Sequence, residues 1–121
     1  MTSQCRSLLV LDDDPDIRTM VSDVAAPMGF TVKATGKAES LDFSAIGQFD
    51  VLLLDLMMPQ VSGFEVLEQA RADEQLKYTP IVVLTSASGP ETKLRALELG
   101  ATEFLSKPVD PSELVLRVCN T

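Results

Sequence analysis

Residues 50 to 57 read Asp50-Val51-Leu52-Leu53-Leu54-Asp55-Leu56-Met57, and the four aliphatic residues between two aspartates set the reading of the whole chain. An uninterrupted apolar run this short implies a central strand buried on both faces, as in a parallel sheet. After it, the loop Met58-Pro59-Gln60-Val61-Ser62-Gly63 leads into a helix that carries Phe64, Val66 and Leu67.

The same alternation continues on both sides. Towards the N-terminus, Ser7 to Leu11 is a strand stopped by acids. Asp14 then caps a helix whose first residue, Pro15, stands where a missing N–H does least harm. Ile17, Met20, Val21 and Val24 recur at helical spacing as its buried stripe. Pro27 ends it and Gly29 turns the chain. Thr31 to Ala34 is a second strand, followed by a weakly periodic helix over Lys37 to Ile46. Towards the C-terminus, Ile81 to Leu84 is a buried strand, Pro90 to Leu99 a helix closed by Gly100, Glu103 to Leu105 a strand and Pro111 to Cys119 a helix. Five strand–helix units imply an α/β fold with a parallel sheet covered by helices on both faces.

Composition narrows the function. The 121 residues are the size of one domain, and 45% hydrophobic content supports a core without metal or disulfide staples. No run reaches the roughly 20 apolar residues of a membrane span, and the start MTSQCRS lacks the features of a signal peptide. A cytoplasmic chain with no membrane partner is expected. Eighteen acids against 10 bases give a net charge of −8, which argues against direct nucleic acid binding. Cys5 and Cys119 have no CxxC partner and read as ordinary packing or surface residues. Histidine is absent, so any chemistry must run on carboxylates, hydroxyls and lysine.

Open parallel sheets bind ligands at the carboxyl ends of their strands. Asp12 and Asp13 follow the first strand, Asp55 ends the third, Thr85 and Ser86 end the fourth, and Lys107 follows the fifth. If these strands are neighbours, three carboxylates crowd together, which is costly unless a cation joins them. A hard ion such as Mg²⁺ suits carboxylates, water and phosphate oxygens, with Lys107 and Thr85 as further phosphate partners. Singly, each residue has a plainer reading. Thr85 and Ser86 could cap a turn, and Lys107 could be an exposed loop residue. Asp14 already fills the helix cap, which frees Asp12 and Asp13.

The segments LLVLDDDPDIR, DVLLLDLMMPQVSGFEVL, PIVVLTS and GATEFLSKPVD, with Thr85 30 residues and Lys107 52 residues after Asp55, resemble the receiver domain of two-component response regulators over essentially the whole chain. The resemblance implies residues 1–121 as a single receiver domain. Its fold would be a flavodoxin-like, doubly wound, five-stranded parallel sheet of order 2-1-3-4-5 with five helices. It also implies Mg²⁺-dependent phosphoryl transfer from a phosphohistidine to Asp55. The metal would be held by Asp13, Asp55 and the Met57 backbone carbonyl, and by Asp12 mainly through a water. Lys107 and the Thr85 hydroxyl would hold phosphoryl oxygens. Thr85 and Phe104 would form a switch, read out on the face made by the helix from Pro90, the fifth strand and the helix from Pro111. Met57 and Ala87 border the site and would tune phosphate lifetime.

The expected partners are a sensor histidine kinase or phosphotransfer protein, an effector domain or downstream protein and, on phosphorylation, a second copy of the chain. Arg117 is a candidate for a dimer salt bridge, with solvent exposure the plainer reading. Two other classes are weighed. An aspartyl-nucleophile phosphohydrolase would carry a second acid where Met57 stands. A degenerate receiver used as a scaffold would have lost an acid, the hydroxyl or the lysine, and none is lost. The chain is therefore read as a regulator that catalyses only its own phosphorylation and dephosphorylation, not as an enzyme.

Overall fold

Each apolar run becomes a strand whose side chains alternate between two layers, as a pleated backbone requires. In the computed structural model, which describes residues 6–36, 49–58, 62–74, 76–86 and 89–120, the strands are β1 (Arg6–Leu11), β2 (Phe30–Thr35), β3 (Val51–Asp55), β4 (Ile81–Thr85) and β5 (Glu103–Ser106). They pair in parallel as one sheet of order β2-β1-β3-β4-β5. The helices are α1 (Pro15–Ala25), α2 (Gly63–Ala72), α3 (Pro90–Glu98) and α4 (Pro111–Cys119). The helix expected over Lys37 to Ile46 lies outside the described residues.

Leu9, Leu11, Leu52, Leu54, Ile81 and Val83 point to one face, where Val66, Leu67 and Ala70 of α2 and Ala96 of α3 cover them. Leu8, Val10, Val51, Leu53, Val82 and Leu84 point to the other, under Val21 and Ala25 of α1 and Leu114 and Val118 of α4. Every residue of β3 and β4 is buried, which explains their uninterrupted apolar sequences. Burying a leucine of this kind stabilises the fold by about 2 kcal/mol.

The helix starts follow local chemistry. The Asp14 carboxylate accepts the Asp16 N–H at 2.9 Å, and Asp110 accepts that of Ser112 at 2.8 Å. Pro15 and Pro111 follow as first helical residues. At Pro27 the chain leaves α1 through a 3₁₀ turn over Ala26–Met28, and Gly29 closes it with φ of 95°. Of the expected α1 stripe, Val21 is fully buried, while Ile17, Met20 and Val24 pack partly buried against the same layer.

Register then lines up the strand ends. Leu11 pairs with Leu54, so Asp12 falls beside Asp55; Asp55 pairs with Leu84, and Thr85 pairs with Ser106, just before Lys107. The Lys107–Pro108 peptide is cis.

Candidate functional site

Asp12 opens the loop after β1. Its N–H donates to the Thr35 carbonyl at 3.1 Å, and its Oδ1 accepts the Asp14 N–H at 2.9 Å. Asp55 ends β3, and its Oδ1 accepts the Met57 N–H at 3.0 Å. Both carboxylates are buried, with 0% and 1% of their surface exposed, whereas Asp13 is exposed. Carboxylate oxygens of Asp12, Asp13 and Asp55 all lie within 4.8 Å of one another. Lys107 Nζ reaches in from the loop after β5, 2.9 Å from Asp12 Oδ2 and 3.4 Å from Asp55 Oδ2.

Among the described residues Lys107 is the one cation in ion-pair contact with these acids, and the three carboxylates outnumber it. Burial pushes the Asp55 carboxyl up to about 6 from an ordinary 3.8; the Met57 N–H opposes the rise, the Asp12 charge adds to it, Lys107 opposes it, and a hydrogen-bonding Asp13 adds to it. For Lys107, burial alone would lower the ammonium pKa, but the neighbouring carboxylates of Asp12, then Asp55, outweigh burial and raise it. Asp12 Oδ2 is buried and accepts no well-directed hydrogen bond. Its contact with Lys107 is therefore carried by charge rather than by direction. A buried oxygen with acceptor capacity to spare, beside two further carboxylates, is a donor set that fits a hard divalent cation.

The remaining expected residues separate. Thr85 is fully buried at the end of β4, and the Lys107 side chain is 17% exposed. Lys107 thus lacks the exposed position of a plain loop residue. Met57 is 54% exposed while its backbone N–H is engaged with Asp55. Phe104 pairs in register with Val83 and packs, half-buried, against the α2–α3 layer rather than joining the acidic cluster. Ala87 lies outside the described residues. Arg117 donates to Glu103 Oε1 at 3.2 Å on the surface, so its ion pair is made within the chain.

Sequence reading missed two supports of the site. Gly63 starts α2 directly beneath it: a Cβ there would meet the Asp55 carbonyl oxygen and the Leu56 Cα at 2.4 Å. No side chain fits without moving the backbone that carries Asp55. The neighbouring signal was legible, since Ser62 followed three residues later by Glu65 marks a helix start, and Ser62 Oγ accepts the Phe64 N–H at 3.2 Å. Arg18 is the second; its Nη1 donates to the Asp12 carbonyl at 2.8 Å.

Comparison with known proteins agrees with this geometry. The response regulator receiver domain family matches residues 8–119. The transcriptional regulatory protein GltR of Pseudomonas aeruginosa is 32% identical over 98% of this chain and 49% of its own length. The phosphate regulon transcriptional regulatory protein PhoB of Escherichia coli is 36% identical over 93% of this chain and 50% of its own. The chain thus spans about half the length of these curated relatives. The chemotaxis response regulator CheY4 of Vibrio cholerae superposes with a TM-score of 0.86 at 33% identity, covering 97% of this chain and 98% of that one. A match that takes in every one of these strand ends makes the chain a member of the response regulator receiver domain family, a phosphoacceptor signalling domain of two-component systems.

Proposed function

We propose that Asp55 receives a phosphoryl group from the phosphohistidine of a sensor histidine kinase or phosphotransfer protein. The observation that carries this reading is the placement of Asp55: buried, within 4.8 Å of two further carboxylates, and 3.4 Å from an ammonium. A carboxylate is a weak nucleophile, so its chemistry depends on positioning and charge. The Met57 N–H fixes one Asp55 oxygen and leaves Oδ2 on the Lys107 side. An Asp55 oxygen forms the new P–O bond as the N–P bond breaks, and that electron pair returns to the donor imidazole. Lys107 would hold a phosphoryl oxygen, and the Thr85 hydroxyl another.

Asp12, Asp13, Asp55 and the Met57 carbonyl would hold Mg²⁺, which when bound supplies charge neutralisation between carboxylates and phosphoryl oxygens. The domain turns over only its own phosphoryl group, so it acts as a regulator and not as an enzyme. Movement of Thr85 towards the phosphoryl group, with Phe104 following, would shift the face made by α3, β5 and α4 between two preferences for an effector domain, a downstream protein or a second copy. We place all 121 residues in one receiver domain that works in the cytoplasm. No described helix is long and apolar enough to cross a membrane.

The test is labelling with a small phosphodonor and Mg²⁺. Wild type should label stoichiometrically and Asp55→Asn not at all; undiminished labelling of that variant would sink the assignment.

A further inference from the structure

We infer that Arg18 is a positioning residue for the acidic crevice: by holding the Asp12 carbonyl, it fixes the loop that presents Asp12 and Asp13 to a divalent cation. The inference rests on the proposed metal site and adds a residue that touches neither metal nor phosphoryl group.

Arg18 sits one turn into α1, half-buried, with Nη1 2.8 Å from the Asp12 carbonyl oxygen. Together with Thr35 and Asp14, this bond engages the N–H, the carbonyl and Oδ1 of Asp12, and leaves Oδ2 with its charge contact to Lys107. The carbonyl belongs to the same planar peptide unit as the Asp13 N–H, so holding it sets the direction in which Asp13 leaves the loop. Asp13 is the exposed acid of the three and has the most freedom to lose.

Gly36, after β2, makes the seat for the guanidinium. A Cβ there would lie 2.6 Å from Arg18 Nη1 and 3.4 Å from the Asp12 carbonyl oxygen. Any side chain at position 36 therefore forces the guanidinium to shift from this seat. Asp13, Arg18, Thr35 and Gly36 also line one open crevice beside the acids.

Charge opposes this placement. A guanidinium beside a cation site repels the cation, so on Coulombic grounds alone removing it would tighten metal binding. Positioning has the opposite sign, which makes the two contributions separable. Gly36→Ala separates them cleanly, because it keeps the charge and displaces only the flexible end of Arg18.

Unphosphorylated wild type, Gly36→Ala and Arg18→Met would be titrated with MgCl₂ by calorimetry. Amide exchange at Asp13 and Asp14 would be followed in chelator, with thermal melts alongside. Positioning predicts about tenfold weaker Mg²⁺ binding in Gly36→Ala. It predicts a smaller loss in Arg18→Met, where repulsion is also relieved, and faster exchange at both amides in both variants. A merely structural bond would lower the melting temperature and leave affinity alone. Affinity and exchange as in wild type for Gly36→Ala, or tighter binding by Arg18→Met, overturn the inference while leaving Asp55 phosphoacceptance standing. Absence of Mg²⁺ binding by wild type overturns the metal site, and this inference with it.

Discussion

The two ends of the sheet each hold a partly buried cation, and the difference between them separates structure from function. At the end where strands begin, Arg71 of α2 donates Nε to the Gly100 carbonyl at 2.9 Å, and Nη1 to those of Leu76 at 2.8 Å and Thr79 at 2.7 Å. It ties α2, the segment entering β4 and the end of α3 together. Gly100, at φ of 110°, keeps the space over Arg71 clear: a Cβ there would lie 2.7 Å from Arg71 Cγ. Its acceptors among the described residues are neutral dipoles, and burial lowers its pKa. At the opposite end, Lys107 faces formal charges, and they outnumber it. Burial of a cation is therefore common to both ends. The mark of the site is charge left unbalanced, which a ligand of opposite sign can complete.

That contrast can be broken by substitution. Arg71→Met removes the donor for three carbonyls and should cost about 4 kcal/mol in urea unfolding. The rate of Asp55 labelling should be unchanged while the protein stays folded; a parallel loss of labelling would show that the two ends are coupled. Lys107→Met should act the other way, slowing labelling by roughly two to three orders of magnitude, or ~3–4 kcal/mol, as a fixed charge is lost from the reacting end.

The Asp55 carboxyl gives a pH signature that the Arg71 end lacks. Its folded pKa of about 6 exceeds the ordinary 3.8, so the folded chain binds the proton more tightly than the unfolded one. Stability is therefore lost as pH rises from about 4 through about 6 and is flat above, by up to ~3 kcal/mol. In chelator, Asp55→Asn should remove that slope, becoming more stable than wild type at pH 7 by ~2–3 kcal/mol and equal to it near pH 3.5. Parallel pH profiles for the two proteins would show that Asp55 is not strained by its burial. The smallest effect belongs to Arg117→Ala. Its ion pair with Glu103 lies near the strand beginnings but is substantially exposed, so stability should change by less than about 0.5 kcal/mol.

Much of this was legible in the chain, for reasons that particular residues make clear. Runs such as Val51–Leu54 and Ile81–Leu84 could only be buried strands, and the Asp14-Pro15 and Asp110-Pro111 pairs announce helix starts by their own side chains. The acids, Thr85 and Lys107 were readable because each sits at the end of such a run. Arg18 and Arg71 were not readable, because their partners are backbone carbonyls, a group nearly every residue carries and no sequence pattern marks.

By itself, then, the sequence determined the elements, their capping and which polar residues stand at strand ends, since these depend on side chains a few positions apart. Tertiary structure alone decided that Asp12 lies beside Asp55, that Lys107 turns inward between them, that Gly63 must lack a side chain, and that Gly36 leaves room for the Arg18 guanidinium. Those outcomes depend on parallel register and on close approach between segments far apart in the chain, where the energy lies in pairing and packing rather than in local preference.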